Sequence, residues 1–382
     1  RSLPDGWPAA LHPRVLAELS ETTPYLAVHL DTVRDRYARL TATLPDARVH
    51  YAVKCNPNQA ILQCLADEGC RFEVASIGEL DLLRDIGVDP VDVLYSNTVK
   101  PTAHVAAAHK AGLWRFAVDC EAELRKIAQH APGAAVYVRL RVDDHTASFP
   151  LSRKFGAEAD VAKSLLVEAR RLGLRPYGLT FHVGSQCASP RAWRSAIVTA
   201  GRLMQELTEQ GIRLRMLDLG GGFPACYGPP VPPIEQYGTT IRGALETLLP
   251  YRPEHLVLEP GRHLVAEAAV LVTTVICREQ RAGDEWLYLD VGVYNGLMET
   301  QQMQQAWTYP ILTARESELS VPKLPYTVAG PSCDSADTMF IGMKLPADVD
   351  IDDQLYIGTA GAYTLGYASN FNGFPIPNVV IV

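Results

Sequence analysis

The sequence lacks the features that mark several classes of protein. No apolar run approaches the ~18 residues that a membrane-spanning helix needs, and there is no low-complexity segment. Basic residues are not in excess, because 35 lysines and arginines face 43 aspartates and glutamates, for a net charge of −8. A surface that binds nucleic acid or an anionic membrane would need the opposite balance. We therefore expect a soluble protein with neither nucleic acid nor membrane as a partner.

Paired cysteines and a secretory leader are also missing. Eight cysteines are scattered along the chain without any C-x-x-C spacing, and no signal-peptide pattern is present. The chain begins with Arg1 rather than Met, which is compatible with a trimmed natural start. We predict free thiols in a reducing cytoplasm and no metal site.

A regular alternation of strands and helices fills the first two thirds of the chain. With 382 residues, 47% of them hydrophobic, the chain can bury a sizeable core. Ten- to twenty-residue amphipathic stretches, such as 160–171 and 193–207, separate short apolar runs. The predicted strands lie near 48–54, 71–75, 93–97, 115–119, 136–142, 176–181, 213–219 and 255–258. Eight such units favour a (β/α)8 barrel, an α/β fold, over residues 31–262.

The pattern changes to strands alone after residue 262. Apolar runs at 268–277, 285–290, 353–358 and 378–382 alternate with turn signals. We predict a second domain, a β-sandwich or β-barrel, over 263–382. The proline-rich lead-in, 1–24, is expected to be irregular, and the strand at 25–30 to join this second domain because it has no partner in the barrel.

Lys54 is the residue around which the barrel is organised. It ends the apolar run 48–54, just before Asn56-Pro57. Lysines are rarely buried without a partner, and a desolvated ammonium loses its proton easily, as a lysine that attacks a carbonyl group must. A lysine at a strand end can also simply extend to the surface, so this segment alone does not decide.

Candidate anion-binding residues follow the seventh and eighth predicted strands. Gly220, Gly221 and Gly222 permit backbone N–H groups to face an anion without a Cβ in the way. The next strand end carries Glu259, Gly261 and Arg262, of which the guanidinium suits a phosphate. Barrel enzymes commonly hold a phosphate at these two loops.

Further polar residues stand at loop positions. His182 and Ser185 follow the sixth strand, where a flat ring and a hydroxyl would suit an aromatic phosphorylated cofactor, although a lone histidine is usually a structural hydrogen-bonding group. Cys333 and Asp334 lie between turn residues, and Tyr363 lies between small ones. The cysteine could be reactive or merely small, and the tyrosine could bind phosphate or merely pack.

Taken together, these motifs resemble the ornithine/diaminopimelate/arginine decarboxylase family. They run in that family's order and spacing, from about residue 24 to the end: Tyr51-Ala-Val-Lys-Cys-Asn56, His182-Val-Gly-Ser185, Gly220-Gly-Gly222, Glu259-Pro-Gly-Arg262, Gly330-Pro-Ser-Cys-Asp334, Gly361-Ala-Tyr363 and Phe371-Asn-Gly-Phe374. The motifs around Cys333 and Phe371 are most similar to the ornithine and lysine branch. The resemblance implies pyridoxal-phosphate fold type III, an alanine-racemase-like barrel plus a β domain.

The resemblance also implies roles for individual residues. Lys54 would hold pyridoxal 5'-phosphate covalently, and Glu259 would pair with its ring nitrogen. The remaining cofactor contacts would come from Glu73, His182, Ser185, Gly220, Gly221, Gly222, Gly261, Arg262 and Tyr363. Cys333 would protonate Cα after decarboxylation, and Asp334 would help to bind the substrate. In the family the partner subunit supplies both, so a homodimer with shared active sites is implied.

The sequence departs from the resemblance at two places. Glu73 stands where ornithine decarboxylases usually have aspartate. In the segment 294–305 we expected a tyrosine–aspartate pair that grips the distal amine of a diamine substrate, but it contains glutamines, Met303 and a single acid, Glu299. Glu299 is therefore the candidate partner for a cationic substrate group.

The predicted activity is decarboxylation of a basic L-amino acid such as ornithine or lysine, which would belong to polyamine biosynthesis. Alternatives are a decarboxylase of a modified amino acid in secondary metabolism, a racemase or epimerase of the same fold, and a non-catalytic regulatory homologue. A racemase needs a second acid/base, usually a tyrosine, opposite the lysine, and the Cys333–Asp334 pair argues against that alternative.

Overall fold

The computed structural model describes residues 3–314 and 322–382, which form two compact units. The barrel unit comprises Arg34–Pro224 and Val231–His263. The β unit contains the described residues of Arg1–Val33, Ala225–Pro230 and Leu264–Val382. Arg1 and Ser2, part of the predicted lead-in, lie outside the described residues.

Strands and helices are numbered in chain order. The strands are β1 Tyr25–Val28, β2 Ala47–Ala52, β3 Arg71–Val74, β4 Leu94–Tyr95, β5 Arg115–Val118, β6 Ala135–Leu140, β7 Ala147–Phe149, β8 Arg175–Phe181, β9 Ser185–Cys187, β10 Met216–Asp218, β11 His255–Leu258, β12 Ala269–Arg281, β13 Asp284–Leu289, β14 Ile311–Thr313, β15 Lys323–Ala329, β16 Thr338–Pro346, β17 Gln354–Ile357 and β18 Asn378–Ile381. The α-helices are α1 Pro13–Ala17, α2 Leu30–Thr43, α3 Gln59–Asp67, α4 Ile77–Asp85, α5 Thr102–Lys110, α6 Glu121–His130, α7 Ala159–Arg171, α8 Arg191–Glu209, α9 Ile234–Leu248, α10 Arg262–Val265 and α11 Met298–Gln302. Short 3-10 turns lie at Ala9–Leu11, Val53–Cys55, Pro90–Asp92, Ala266–Ala268, Leu365–Tyr367 and Phe371–Gly373.

The predicted barrel is confirmed. Eight parallel strands close in the order β10-β11-β2-β3-β4-β5-β6-β8, and these are the eight strands that the apolar runs predicted. The two helices predicted from their periodicity are also present, as α7 and α8. Because all eight strands are parallel, their carboxyl ends lie at the same rim of the barrel. The loops that follow the strands therefore present their side chains at that rim.

The barrel interior is a packed core. Its apolar cluster draws on six strands and contains Leu94, Ala117, Ala135, Tyr137, Tyr177, Met216 and Val257. Trp114 packs against it, with its ring edge-on to Tyr177 at 5.2 Å between centroids. Because this layer fills the barrel, polar side chains farther along the same strands are collected at the rim.

The described strands of the β unit form one eight-stranded mixed sheet. Its main path runs β14-β17-β12-β13-β15-β16, and β1 pairs antiparallel with β12 and parallel with β18. The strand predicted at 25–30 is two residues shorter, since β1 ends at Val28 and Leu30 begins α2. The lead-in is less irregular than predicted, because Pro13 starts the short helix α1 after a cap by the His12 side chain.

Buried aromatic and aliphatic side chains hold the sheet and the lead-in together. Trp7 and Leu11 pack with Tyr25 of β1 and with Tyr356 of β17 in one cluster, and Trp7 donates a 2.8 Å hydrogen bond to the carbonyl of Leu11. Among residues 3–314 and 322–382 no helix is both long and apolar enough to cross a membrane.

Candidate active site

Lys54 and Glu73 meet at the carboxyl ends of β2 and β3. β2 stops at Ala52, and a single 3-10 turn, Val53–Cys55, places Lys54 Nζ 2.7 Å from Glu73 Oε1. The lysine side chain is 46% exposed, whereas the glutamate is buried. Glu73 Oε2 has no hydrogen-bond partner among the described residues. The rim therefore presents an accessible amine backed by a buried carboxyl group with unused bonding capacity.

The three glycines after β10 allow three loops to approach closely. A Cβ on Gly220, Gly221 or Gly222 would collide with the carbonyl oxygen of Phe181, Glu259 or Gly184, respectively. The first and third glycines have φ of +65° and +105°, which side-chain-bearing residues rarely adopt. Glycine is therefore required here, and the loops after β8, β10 and β11 form one narrow cradle of backbone.

Arg262 is buried at the edge of this cradle. Its Nε and Nη2 both donate to Ser185 Oγ at 3.2 Å, and its guanidinium lies 5.1 Å from the ring centroid of Phe149. Gly261 lets this segment pass close to β2, since a Cβ there would lie 2.8 Å from Cys55 Cβ. The sequence did not single out Phe149, which reaches Arg262 from the two-stranded antiparallel sheet of β7 and β9.

Glu259 lies inside the barrel beside another acid, Asp218. Asp218 is buried, whereas Glu259 is partly exposed. Burial, followed by the charges of Asp218 and Glu73, raises the pKa of Glu259 well above its ordinary value. Burial likewise raises the pKa of Asp218 to about 6, although Gly220 N and Thr180 Oγ1 donate to it at 2.9 and 3.0 Å. Burial therefore favours the neutral form of both carboxyl groups.

Two residues that sequence reasoning missed form a hydrogen-bonded chain that ends on Glu259. Ser96, after β4, donates a short hydrogen bond to Glu259, and Tyr137 of β6 lies 2.9 Å from Ser96 Oγ. Asp218 was also missed, although its position directly before the three glycines was a usable signal. Ser96 and Tyr137 carried no such signal, since their neighbours in sequence are those of ordinary strands.

His182 stands between the glycine loop and the lysine. Its Nδ1 accepts a 3.0 Å hydrogen bond from Gly184 N, and a Cβ on Gly221 would lie 3.4 Å from its Nε2. Burial above all, with Arg139 and Lys54 nearby, holds the pKa of His182 well below its ordinary value. The ring is therefore neutral and offers a flat apolar face.

In the β unit, Cys333 and Asp334 form a cluster with two other segments. Cys333 N donates to Asn372 Oδ1 at 3.0 Å, and Asp334 Oδ2 accepts from Tyr294 OH at 2.6 Å. The rings of Tyr294 and Phe371 lie 4.6 Å apart. Cys333 is exposed. The Tyr294 hydrogen bond, above all, lowers the pKa of Asp334, so this carboxylate is ionised.

The other two predicted residues of the β unit differ in setting. Tyr363 has φ of +56° and lies with its ring 6.2 Å from that of Tyr367. Glu299 is only 3% exposed in α11, and its carbonyl accepts from Met303 N at 3.1 Å. The predicted site residues thus fall into two groups, one in each unit.

The barrel group fits pyridoxal phosphate. A half-exposed amine suits its aldehyde, the glycine cradle and Arg262 suit its phosphate, and Glu259 suits its ring nitrogen. Glu73 Oε2 has no hydrogen-bond partner among the described residues and can therefore bond to a bound polar group. The glycine loop has no room for a Cβ, as expected of backbone that closely surrounds a phosphate. Such a set defines a barrel enzyme that uses pyridoxal phosphate.

Comparison with known proteins gives the family. Residues 30–266 match the model of the pyridoxal-dependent decarboxylase, pyridoxal binding domain. The lysine/ornithine decarboxylase of Selenomonas ruminantium is 36% identical over 94% of this chain and 89% of its own length. Antizyme inhibitor 2 of Xenopus laevis is 32% identical over 94% and 82%. The chain belongs to the pyridoxal-dependent decarboxylase family, and it is a pyridoxal-phosphate-dependent amino-acid decarboxylase.

Solved structures agree with this membership. The lysine/ornithine decarboxylase of Vibrio vulnificus complexed with cadaverine superimposes with a TM-score of 0.88 at 32% identity, covering 98% of this chain and 99% of that one. The recognition of family, fold class, activity and cofactor from the sequence is thereby confirmed.

Proposed function

We propose that this chain decarboxylates a basic L-amino acid, such as ornithine or lysine, with Lys54 as the lysine that binds the cofactor. The observation that carries the assignment is the Lys54 amine, 2.7 Å from buried Glu73 and open to solvent at the rim. Pyridoxal phosphate, when bound, supplies an electron sink for the electron pair left on Cα as CO2 departs.

The barrel side chains would bind and orient the cofactor. The N–H groups of Gly220–Gly222, with Ser185 and Arg262, would hold the phosphate, joined by Tyr363. His182 would cover one face of the ring as a neutral imidazole. Glu259 would keep the ring nitrogen protonated, since a carboxylate in a poorly solvated site favours a neighbouring cation.

The substrate-facing residues of the β unit would act in trans. We propose a homodimer in which Cys333 of one subunit gives a proton to Cα in the partner's site, while Asp334 binds the substrate. The exposure of Cys333 and the ionised state of Asp334 support this assignment. None of the eight cysteines forms a disulfide in the structure, which is in keeping with a cytoplasmic enzyme.

The most specific part of the proposal is that the substrate has a basic side chain. Asp334 offers a half-buried, ionised carboxylate, whereas Glu299 is buried in α11, and glutamines and Met303 stand where an aspartate was expected. A substrate with an uncharged or modified side chain is the alternative that the glutamines at 301–305 favour.

A panel of L- and D-amino acids, assayed for CO2 release with the cofactor added, tests the substrate. Ornithine or lysine should be turned over, and their D-isomers should not. If only neutral or modified amino acids were turned over, the proposal of a basic substrate would be wrong and that of an uncharged or modified side chain would take its place.

Borohydride treatment followed by peptide mapping tests the lysine. The cofactor should be fixed to the peptide containing Lys54 and lost in Lys54→Ala. A chain that binds no cofactor would instead be a regulatory homologue, the class to which its similarity with an antizyme inhibitor points.

A further inference from the structure

A hydrogen-bonded relay of two hydroxyl groups ends on Glu259. Ser96 Oγ contacts both the Glu259 carboxyl group and the Tyr137 hydroxyl, the latter at 2.9 Å. Each hydroxyl has a single hydrogen. When Glu259 is ionised it can only accept, so Ser96 donates to it and Tyr137 donates to Ser96. The relay therefore runs in one direction, Tyr137 to Ser96 to Glu259, and its polarity favours a negative charge on the glutamate.

The backbone fixes Ser96 firmly in place. Ser96 N donates to Val74 O at 3.0 Å, which continues the pairing of β4 with β3. Farther along the same loop, the buried ammonium of Lys100 donates to the carbonyls of Thr98 and Ala117 at 3.1 and 2.6 Å, which ties the loop to β5. Tyr137 is fully buried in the barrel core. The hydroxyl groups of Ser96 and Tyr137 are therefore already in position before any cofactor binds.

The relay opposes the other influences on Glu259. Burial and two acids, Asp218 and Glu73, favour its neutral form, while Lys54 and the hydrogen bond from Ser96 favour the ionised form. Arg139, buried in the same barrel, adds a second cation. Among the groups that favour ionisation, Ser96 is the one that donates directly to a carboxyl oxygen of Glu259.

We propose that Ser96 and Tyr137 are positioning residues that hold Glu259 ionised and correctly oriented, and thereby set how firmly the cofactor ring nitrogen keeps its proton. This inference rests on the proposed pairing of Glu259 with that nitrogen. Neither hydroxyl touches the reacting atoms; both act through the glutamate.

The test compares Ser96→Ala with a matched control from the same loop. Thr98 is buried and its hydroxyl has no partner among the described residues, so Thr98→Val removes a hydroxyl without removing a hydrogen bond. Ser96→Thr keeps the donor and should restore wild-type behaviour. Tyr137→Phe removes only the outer donor and retains the packing of the ring, so it tests the relay even if Ser96→Ala folds poorly.

Bound-cofactor absorbance is titrated with pH in each holoenzyme, and kcat and KM are measured separately. Loss of one hydrogen bond to a charged group should lower kcat about tenfold to a hundredfold with KM nearly unchanged. The titration of the ring nitrogen should move to lower pH by about one unit or more in Ser96→Ala, because a less ionised partner stabilises the ring proton less. Tyr137→Phe should shift it in the same direction by less, and Thr98→Val should not shift it.

A second readout does not depend on turnover. Infrared spectra of the full-length chain before the cofactor is added, with Glu259→Gln as the reference, report the protonated carboxyl group of Glu259. In Ser96→Ala that band should persist to higher pH than in wild type or Thr98→Val. Identical titrations of Ser96→Ala and Thr98→Val by both methods would overturn the inference.

Failure of the inference and failure of the proposed function can be told apart. If borohydride fixes the cofactor to Lys54 but Ser96→Ala titrates like the control, only the relay is wrong. If the cofactor is not fixed to Lys54, the assignment of the site is wrong, and the infrared titration still decides whether Ser96 governs Glu259.

Discussion

At the scale of single residues, the barrel interior is unusual for the number of acids it buries. The charges of Asp218 and Glu73 raise the pKa of Glu259, and both of these neighbouring acids are nearly inaccessible to solvent. Buried carboxylates are costly unless they are paired, so such a cluster is retained where a cationic group is to be bound. The ring nitrogen of the cofactor is the cation for which the cluster is suited.

Removing one of these acids should stabilise the protein that lacks cofactor. Asp218 has a pKa of about 6 in the folded chain against an ordinary 3.8, so the folded state prefers its protonated form. The cost of ionising it appears as the pH rises from about 4 to 6 and persists above. Asp218→Asn should therefore raise the free energy of unfolding by about 1–3 kcal/mol at pH 7.5, and by much less at pH 4.

Denaturant unfolding at the two pH values measures this effect. Asp35→Asn, at an exposed position in the middle of α2, is the control and should change stability little at either pH. A destabilised Asp218→Asn at pH 7.5 would mean that the hydrogen bonds from Gly220 and Thr180 outweigh the cost of burying the charge.

At the scale of elements, the rim is built by loops that must pass very close to each other. The loops after β8, β10 and β11 meet backbone to backbone, and the β4–α5 loop is tied by its own buried lysine. Strands supply the scaffold, while irregular segments supply the contacts to the ligand. Changes in these loops should therefore affect the site before they affect the barrel.

Gly221→Ala should abolish tight binding of the cofactor. Its Cβ would collide with the carbonyl oxygen of Glu259, so the loop must move away from the phosphate position. Gly243→Ala in α9 is the matched control, since a Cβ there meets nothing within 4 Å, and it should stabilise the helix by about 0.5–1 kcal/mol. Cofactor affinity, measured by fluorescence titration, should fall only in Gly221→Ala, and equal affinity in both variants would contradict this role for the loop.

Lys100→Met should destabilise the barrel more than Lys126→Met. Lys100 is buried, donates to three backbone carbonyls and lies 3.4 Å from Glu123 Oε2. Its loss leaves a buried carboxylate and those carbonyls short of a donor, at a cost of about 3 kcal/mol or more. Lys126 also contacts Glu123 but is 24% exposed, so water can replace it. Thermal unfolding of the two variants measures which is less stable. A smaller loss of stability for Lys100→Met than for Lys126→Met would show that other contacts hold the β4–α5 loop.

At the scale of the whole molecule, the candidate residues are divided between two units. The barrel unit holds Lys54, Glu259 and Arg262, and the β unit holds Cys333 and Asp334. An enzyme whose sites are shared between subunits depends on its dimer for activity, because neither subunit completes a site alone.

Mixing a Lys54→Ala chain with a Cys333→Ala chain should restore activity. Random reassortment places one intact site in half of the dimers, which amounts to about a quarter of wild-type activity. CO2 release from the mixture, compared with each variant alone, measures the recovery. No recovery, where exchange of subunits is shown independently, would mean that Cys333 acts within its own chain or is not the acid.

The sequence by itself determined the fold class, the strands of the barrel and most of the polar side chains at its rim. Those features are local: strand and helix periodicity, a lysine at a strand end and three glycines in a row are each visible within a short window. The motifs also identified the family, because their order and spacing along the chain are specific to it.

Only the tertiary structure decided which side chains govern those residues. Ser96 and Glu259 are 163 positions apart and Ser96 and Tyr137 are 41, so no local pattern links them. Glu299 looked like an available acid in the sequence, yet α11 buries it. The physical reason is the closed barrel: it brings residues from eight distant strands to one rim, and burial there, which local sequence does not encode, sets their charge states.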